Sequence, residues 1–151
     1  MDMQNKIALV TAAASGAGRA GAFILAREGA AVAVVDQNEL GVKAVAEEIR
    51  KRGGRALALA GDLRNDAFSR EIVAATVKEF GRLDSVWNHL GIPGPSVIDD
   101  LDGWDLSIDL NLRSQLVTTH AALTHMTAQK SGSILFTAST SGLTGSPWSP
   151  T

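Results

Sequence analysis

Short apolar runs alternate with amphipathic segments along the whole of this 151-residue chain. Five apolar runs predict buried strands at residues 7–10, 30–36, 55–60, 83–87 and 133–137. Four segments with apolar residues at helical spacing predict helices at residues 18–28, 38–52, 66–80 and 104–129. The segment 91–95 and the tail from Ser139 onward are predicted to be loops because Gly, Pro, Ser and Thr dominate them. Strands that alternate with helices require right-handed crossovers, so the pattern predicts one α/β domain on a parallel sheet.

Two of the predicted helices have clear buried faces. Asn38 is the expected N-cap of the second helix, whose inward side is predicted to carry Leu40, Val45 and Ile49. The third helix has one apolar face, made of Phe68, Ile72, Val73, Thr76 and Phe80. Both helices therefore fit a covering layer over the sheet.

The longest predicted helix is apolar on two sides. One side carries Leu112, Leu116, Leu123 and Met126, and the other carries Leu110, Val117 and Ala121. A helix that packs on a sheet alone needs only one apolar stripe. We therefore expect this helix to pack also against the same helix of a second subunit.

Composition narrows the class of protein. Hydrophobic residues make up 45% of the chain and charged residues 20%, which is typical of a globular protein. The formal net charge of −2 gives no reason to expect nucleic acid or an anionic membrane as a partner. No apolar run reaches the roughly 18 residues of a spanning helix, so we expect a soluble cytoplasmic protein. The chain has no cysteine, which excludes disulfides and thiolate metal sites, and no metal site is expected.

The best candidate for a ligand site is the turn after the first strand. Ligands of such sheets bind beyond the carboxyl ends of the strands. Gly16 and Gly18 fall there, at the start of the first helix, where backbone N–H groups can approach a phosphate without a Cβ in the way. Two glycines alone are equally consistent with a packing turn.

Asp36 ends the otherwise apolar second strand, 18 residues after Gly18. At that place a carboxylate can accept hydrogen bonds from the ribose hydroxyls of an adenine dinucleotide. The alternative is an aspartate that caps the next helix. If the dinucleotide interpretation holds, Asp36 repels a 2′-phosphate, which favours NAD over NADP.

Five motifs, in this order, resemble the short-chain dehydrogenases/reductases. Residues Thr11-Ala12-Ala13-Ala14-Ser15-Gly16-Ala17-Gly18 are similar to the family's Thr-Gly-x-x-x-Gly-x-Gly turn. Asp62-Leu63 resembles its adenine-contacting Asp after the third strand, and Asn88-His89-Leu90-Gly91 resembles its Asn-Asn-Ala-Gly after the fourth. Asn111 resembles the asparagine of the catalytic tetrad, and the run from Gly132 to Ser139 resembles the strand that delivers the catalytic serine.

The resemblance implies a fold and an activity. The fold is a Rossmann-type doubly wound sheet with strand order 3-2-1-4-5, and the activity is hydride transfer between NAD and a carbonyl or secondary alcohol of a small molecule. Ser139 is expected to hydrogen-bond the substrate oxygen, and Asn111 to support a proton-relay water. Homodimers or homotetramers are expected. The implied cofactor-binding residues are Thr11, Ser15, Gly16, Ala17, Gly18, Asp36, Asp62, Leu63, Asn88 and Gly91.

Two departures from the family pattern stand out. Ala12 replaces the first glycine of the turn, which costs about 1 kcal/mol if its φ angle is positive and nothing otherwise. His89 and Leu90 replace Asn and Ala after the fourth strand. On the sequence alone, His89 is most simply a loop histidine.

The chain contains no tyrosine. In the family an acid/base tyrosine follows the serine by about a dozen residues, and its lysine follows one helical turn later. Counting from Ser139 places that tyrosine just past Thr151, and residues 145–151 look like the loop that leads to it. We therefore expect that the chain is the N-terminal portion of an enzyme of about 250 residues. Such a portion lacks further strands, is inactive alone, and leaves its fifth strand as an open apolar edge. The alternative is a non-catalytic module that binds NAD or dimerises.

Overall fold

The computed structural model of the chain describes residues 2–144, so the predicted loop at 145–151 lies outside the described residues. Five strands form one sheet in the order β3-β2-β1-β4-β5, and every neighbouring pair is parallel. The strands are β1 (Ile7–Thr11), β2 (Ala31–Asp36), β3 (Arg55–Ala60), β4 (Ser85–Asn88) and β5 (Ser133–Phe136). The predicted fold class and strand order are confirmed.

Five α-helices connect and cover the strands: α1 (Gly16–Arg27), α2 (Glu39–Lys51), α3 (Asp66–Phe80), α4 (Leu101–Ile108) and α5 (Ser114–Gln129). Helix α3 has the bounds that its apolar face predicted. Helix α1 begins two residues earlier than predicted, because its first turn is Gly-Ala-Gly and carries no large apolar side chain to reveal it. Within residues 2–144, none of the helices combines the length and apolar character needed to cross a bilayer.

The predicted long helix is interrupted. A π-helical segment, Asp109–Arg113, joins α4 to α5, and a shift in hydrogen bonding of this kind leaves no trace in the hydrophobic pattern. Arg113 fastens the segment to the start of α3 by donating to both carboxylate oxygens of Asp66, at 3.0 and 2.8 Å.

Successive residues of the central strands face opposite sides of the sheet. Val10 and Val34 pack with α1 and α2, whereas Leu9 and Val35 pack with α3 and α5. All four side chains are fully buried, as a sheet covered on both faces requires.

The prediction that Leu40 of α2 lies in the core is wrong. Leu40 is 81% exposed, while Val45 and Ile49 are buried as expected. The buried stripe of α2 begins at Val42, and a residue two positions earlier points about 200° around the helix axis from it. The predicted N-cap is confirmed, because the Asn38 side chain accepts a hydrogen bond from the N–H of Gly41 at 2.9 Å.

Helix α5 buries a different stripe from the one its leucines suggest. Its buried residues are Ser114, Gln115, Thr118, Ala122 and Met126. Leu112 at the end of the π segment and Leu116 and Leu123 of α5 are each about half exposed. Of the four residues predicted to form one apolar side of this helix, only Met126 lies in the core. The buried stripe was not predicted because several of its residues are polar. Ser114, for example, can be buried because its hydroxyl donates to the carbonyl of Leu110 at 2.8 Å.

Strand β5 forms one edge of the sheet, and Leu135 and Phe136 are each about half exposed there. The open apolar edge expected from the sequence is thus present in the described part of the chain.

A buried carboxylate joins β1 to β4 at the amino end of the sheet. Asp84 is 7% exposed, accepts the N–H of Ile7 at 3.0 Å and forms two hydrogen bonds with Arg82. Burial by itself raises the pKa of Asp84, but the hydrogen bonds from Arg82 and Ile7 outweigh it and hold this pKa below its ordinary value. The ionised carboxylate therefore stabilises the fold.

We expect Asp84→Asn to lower the free energy of unfolding by about 1–3 kcal/mol at neutral pH, because the N–H of Ile7 and Arg82 lose a charged acceptor. The pKa of Asp84 is lower in the folded state, so its carboxylate stabilises the protein above the unfolded-state pKa of about 4. This stabilisation is lost as pH falls through the folded-state pKa. Denaturant unfolding should therefore show a smaller difference in the free energy of unfolding between variant and wild type at pH 3 than at pH 7. Asp99→Asn, an exposed control, should show no such pH dependence; identical behaviour of the two variants would refute this role for Asp84.

Candidate functional site

The predicted site residues gather along the carboxyl edge of the sheet, where the parallel strands end together. Thr11 ends β1, Asp36 ends β2 and Asn88 ends β4. Asp62 follows β3 by two residues, and Ser139 follows β5 by three. The sequence motifs therefore converge on one edge although they are spread over most of the chain.

The start of α1 fits an anion. Ser15 is the extended N-cap of this helix, and its side chain makes no capping hydrogen bond. The first-turn N–H groups of a helix, here those of Gly16, Ala17 and Gly18, have no partner within the helix. A Cβ on Gly18 would lie 2.2 Å from the carbonyl oxygen of Ala12, so only glycine allows the helix to start this close to β1. Free donors and a bare backbone are what a phosphate group requires.

Ala12 has a φ angle of +52°, in the left-handed region that favours glycine. Alanine in place of the family's glycine therefore has a conformational cost here, because the φ angle of Ala12 is positive. Ala12 also lines the cleft described below, so the strain lies at the candidate site itself.

Asp36 links the end of β2 to the turn after β1. One carboxylate oxygen accepts the N–H of Ala14 at 3.2 Å, and the other accepts the N–H of Asn38 at 3.0 Å. The cap of α2 is Asn38 and not Asp36, so the alternative interpretation of Asp36 as a helix cap is wrong.

Asp62 is held by its neighbour Arg64. The Nε of Arg64 donates to one carboxylate oxygen at 2.8 Å, and its backbone N–H donates to the other at 2.9 Å. The side-chain hydrogen bond from Arg64 is the main reason that the pKa of Asp62 lies below its ordinary value. Asp62 is thus an oriented acceptor. Leu63, the next residue, is buried in the core against α3.

A cleft of about 370 Å³ opens between the ends of β2 and β3 and the helical segment around α4. Its polar side is lined by Asp36, Gln37, Asp62 and Arg64. Its apolar side is formed by Leu63, Leu90, Ile92, Leu106 and Leu110. A polar wall that holds two carboxylates and a wall of aliphatic side chains suit a flat heterocycle that carries a hydroxylated sugar.

A larger cleft of about 630 Å³ lies at the opposite edge, where β1, β2 and β3 begin. None of the predicted site residues lines it. The carboxyl edge remains the better candidate, because ligands of doubly wound sheets bind at that end.

Thr11 and Asn88 make hydrogen bonds within the protein that position the segment after β4. The hydroxyl oxygen of Thr11 accepts the N–H groups of His89 and Leu90, at 2.9 and 3.1 Å. The buried amide of Asn88 donates to the hydroxyl of Thr119 in α5 at 3.2 Å. Both side chains therefore fix the segment that leaves β4, and cofactor contact by either residue stays a prediction.

Asn111 lies within the π segment and holds the same loop further along. Its amide oxygen accepts the N–H of Ile92 at 2.8 Å, and its amide nitrogen donates to the Ile92 carbonyl at 2.9 Å. A Cβ on Gly91 would lie 3.4 Å from that amide oxygen. The structure thus brings Asn111 next to Gly91, while its relay role stays a prediction.

Ser139 is exposed and begins a short 3₁₀ turn, Thr140–Gly142. Its hydroxyl oxygen accepts the N–H of Ser141 at 3.2 Å. These contacts are those of a turn serine, and a role toward substrate stays a prediction.

Sequence reasoning missed a side-chain cluster at the ends of β4 and β5. The indole N–H of Trp87 donates to the hydroxyl oxygen of Thr137 at 2.9 Å, and Nδ1 of His89 lies 2.8 Å from the same oxygen. The two rings are 4.7 Å apart, centroid to centroid. The only sequence signal was His89 itself, as a departure from the family motif.

Comparison with known proteins supports the resemblance. A family model described as short chain dehydrogenase matches residues 6–151. The chain is 35% identical to (2S)-[(R)-hydroxy(phenyl)methyl]succinyl-CoA dehydrogenase subunit BbsD of Thauera aromatica, over 99% of this chain and 61% of that protein. It is 37% identical to cyclopentanol dehydrogenase of Comamonas testosteroni, over 96% of this chain and 59% of that protein. The chain thus spans about three-fifths of the length of these curated relatives.

Solved structures with the same fold include NAD+-bound xylitol dehydrogenase, with a TM-score of 0.92, 28% identity and coverage of 98% of this chain and 58% of that one. A 7α-hydroxysteroid dehydrogenase complexed with NADH and 7-oxo glycochenodeoxycholic acid also has a TM-score of 0.92. Its identity is 26%, and the alignment covers 95% of this chain and 57% of that one.

We expect Ala12→Gly to raise the free energy of unfolding by about 0.5–1 kcal/mol, because glycine adopts a positive φ without the Cβ clash. Chemical denaturation measures the change. Ala13→Gly is the matched control: Ala13 is fully buried and is not among the positive-φ residues, so this variant should be less stable than wild type. Equal destabilisation by both substitutions would show that Ala12 is not strained.

Proposed function

The chain belongs to the short-chain dehydrogenase/reductase family, and on this premise we propose that it binds NAD(H) along the carboxyl edge of its sheet. The activity proposed for the whole protein is hydride transfer between the nicotinamide and a carbonyl or secondary alcohol carbon of a small molecule. The bound nicotinamide supplies the hydride acceptor or donor. The polypeptide supplies binding, orientation and proton handling.

Asp36 is the observation that carries the cofactor assignment. Its carboxylate is tied to the turn before α1 through Ala14 and lines the cleft together with Asp62. From this place Asp36 would accept hydrogen bonds from the adenosine ribose hydroxyls. A 2′-phosphate would instead meet a negative charge, which supports NAD over NADP.

The other predicted cofactor residues divide by the part of the dinucleotide they would serve. Asp62 and Leu63 would bound the adenine. Thr11, Asn88 and Gly91 would shape the segment that passes beneath the nicotinamide half. The diphosphate would lie against the first turn of α1 and its cap, at Ser15, Gly16, Ala17 and Gly18.

Catalytic roles are proposed for Ser139 and Asn111. Ser139 would donate its hydroxyl hydrogen bond to the substrate oxygen, and Asn111 would hold the proton-relay water. These 151 residues include no tyrosine to act as general acid or base. We therefore propose that they bind NAD(H) without turning over substrate on their own.

The missing tyrosine also favours a second candidate function, a non-catalytic NAD-binding or dimerising module. A panel of ketones and secondary alcohols, assayed on the whole protein with NADH and NAD respectively, separates the two. Turnover of any substrate by the whole protein would exclude the module, whereas tight NADH binding by the whole protein with no turnover would favour it.

We expect NADH to bind more tightly than NADPH by about 1–3 kcal/mol, because Asp36 repels the 2′-phosphate and loses its ribose contact. Isothermal titration calorimetry with both dinucleotides measures the difference. The double variant Asp36→Ala, Gln37→Arg should narrow or invert the preference. Equal binding of the two dinucleotides by the wild-type chain would refute the role given to Asp36.

We also expect the chain to self-associate through the exposed leucines Leu112, Leu116 and Leu123, which form an apolar row on the exposed side of the π segment and α5. Sedimentation velocity should show a dimer or tetramer for wild type and dissociation for Leu116→Glu. Leu40→Glu is the control, since Leu40 is more exposed but lies on α2. A monomeric wild type would contradict the proposed interface.

A further inference from the structure

The side chain of His89 lies between the exit of β5 and the first turn of α1. On the β5 side, its Nδ1 is 2.8 Å from the hydroxyl oxygen of Thr137. On the α1 side, its Cδ2 would be only 3.0 Å from a Cβ placed on Gly18. The Trp87 ring lies 4.7 Å from the imidazole, centroid to centroid, and is tilted by 42° to it. The imidazole is therefore held in one place, at the helix turn where an anion fits.

The hydrogen bonds of Thr137 are compatible with a tautomer of His89 that leaves a free donor. An indole N–H is only a donor, so the hydroxyl oxygen of Thr137 accepts from Trp87. A hydroxyl oxygen has two acceptor sites and one proton, so Thr137 can either accept from Nδ1 of His89 or donate to it. When Thr137 donates, the neutral imidazole carries its own proton at Nε2. Nε2 has no hydrogen-bond partner within residues 2–144.

We propose that His89 is a cofactor-positioning residue that donates a hydrogen bond from Nε2 to a phosphate oxygen of the dinucleotide. The inference rests on the proposed function and adds to it a phosphate contact from a position where the family motif has Asn and this chain has His. Cδ2 and Nε2 are neighbouring ring atoms, so the edge that faces Gly18 also carries the free N–H. Thr137 and Trp87 act through His89, by fixing the ring.

The same phosphate would be reached from two sides. The backbone N–H groups at the start of α1 donate along the helix axis, and the imidazole donates from the β4 side. A hydrogen bond to a charged acceptor is among the stronger ones in proteins, and a fixed ring loses little freedom on forming it. The donor of His89 therefore adds affinity for the diphosphate and none for the adenosine.

Two probes separate those parts of the cofactor: ADP-ribose, which contains the diphosphate, and adenosine, which lacks it. Calorimetry on the intact chain compares wild type with His89→Met, which has no donor, and with His89→Gln, which keeps an N–H at similar reach. We expect His89→Met to weaken ADP-ribose binding by about tenfold and to leave adenosine binding unchanged. His89→Gln should restore most of the affinity. Thr137→Val should behave like His89→Met, and Thr137→Ser like wild type.

The possible outcomes distinguish this inference from the proposed function. If wild type binds ADP-ribose and His89→Met binds it equally well, the inference is wrong while the dinucleotide site stands. Equal loss of both probes in His89→Met and in His89→Gln would mean that the residue only supports the fold, which also overturns the inference. If wild type binds neither probe, the proposed function fails, and the role of His89 fails with it.

Discussion

The site depends on a close approach between α1 and the strands beneath it. At two places on this helix there is no room even for a methyl group. A Cβ on Gly18 would lie 2.2 Å from the carbonyl oxygen of Ala12, and a Cβ on Gly21 would lie 2.2 Å from the ring of Trp87. The two glycines are three residues apart and so share one face of the helix. That face lets the helix start directly above the ends of β1 and β4, with its free N–H groups at the carboxyl edge.

The remaining side-chain contacts keep that edge in place. The Thr11 hydroxyl binds the backbone leaving β4, and Gln115 of α5 donates to the carbonyl of Leu90 in the same segment at 2.8 Å. Asn111 pairs with both backbone polar groups of Ile92. These hydrogen bonds lie within the protein, so the loop after β4 is arranged before any ligand binds, and little ordering is left for a ligand to drive.

The sequence predicted the architecture well because burial on both faces of a parallel sheet leaves long apolar runs that cannot belong to the surface. Strand order followed from the family motifs, and the start of α2 from Asn38 alone. The inner face of α5 could not be predicted, because Ser114 and Thr118 are buried there while Leu116 and Leu123 are half exposed. Periodicity counts apolar side chains, and it cannot detect a hydroxyl that is satisfied by its own helix.

The candidate site was predictable in its residues but not in its contacts. Asp36 and the glycine turn could be placed because strand ends meet at one edge. The strained φ angle of Ala12 depends on the path of the backbone, and the cluster of Trp87, Thr137 and His89 joins residues about 50 apart in the chain. Pairings between distant loops of this kind have no local sequence pattern.

Above all, we propose that the carboxyl edge of the sheet is a dinucleotide site. Titration with NADH, followed by NMR through the backbone amide chemical shifts, tests this claim. We expect the largest changes at the start of α1, at Gly16 and Gly18, and at Leu63 and Gly91 at the strand exits. Amides at the opposite edge, such as those of Lys6 and Arg55, should not move. Changes confined to that opposite edge, or no saturable change anywhere, would contradict the claim.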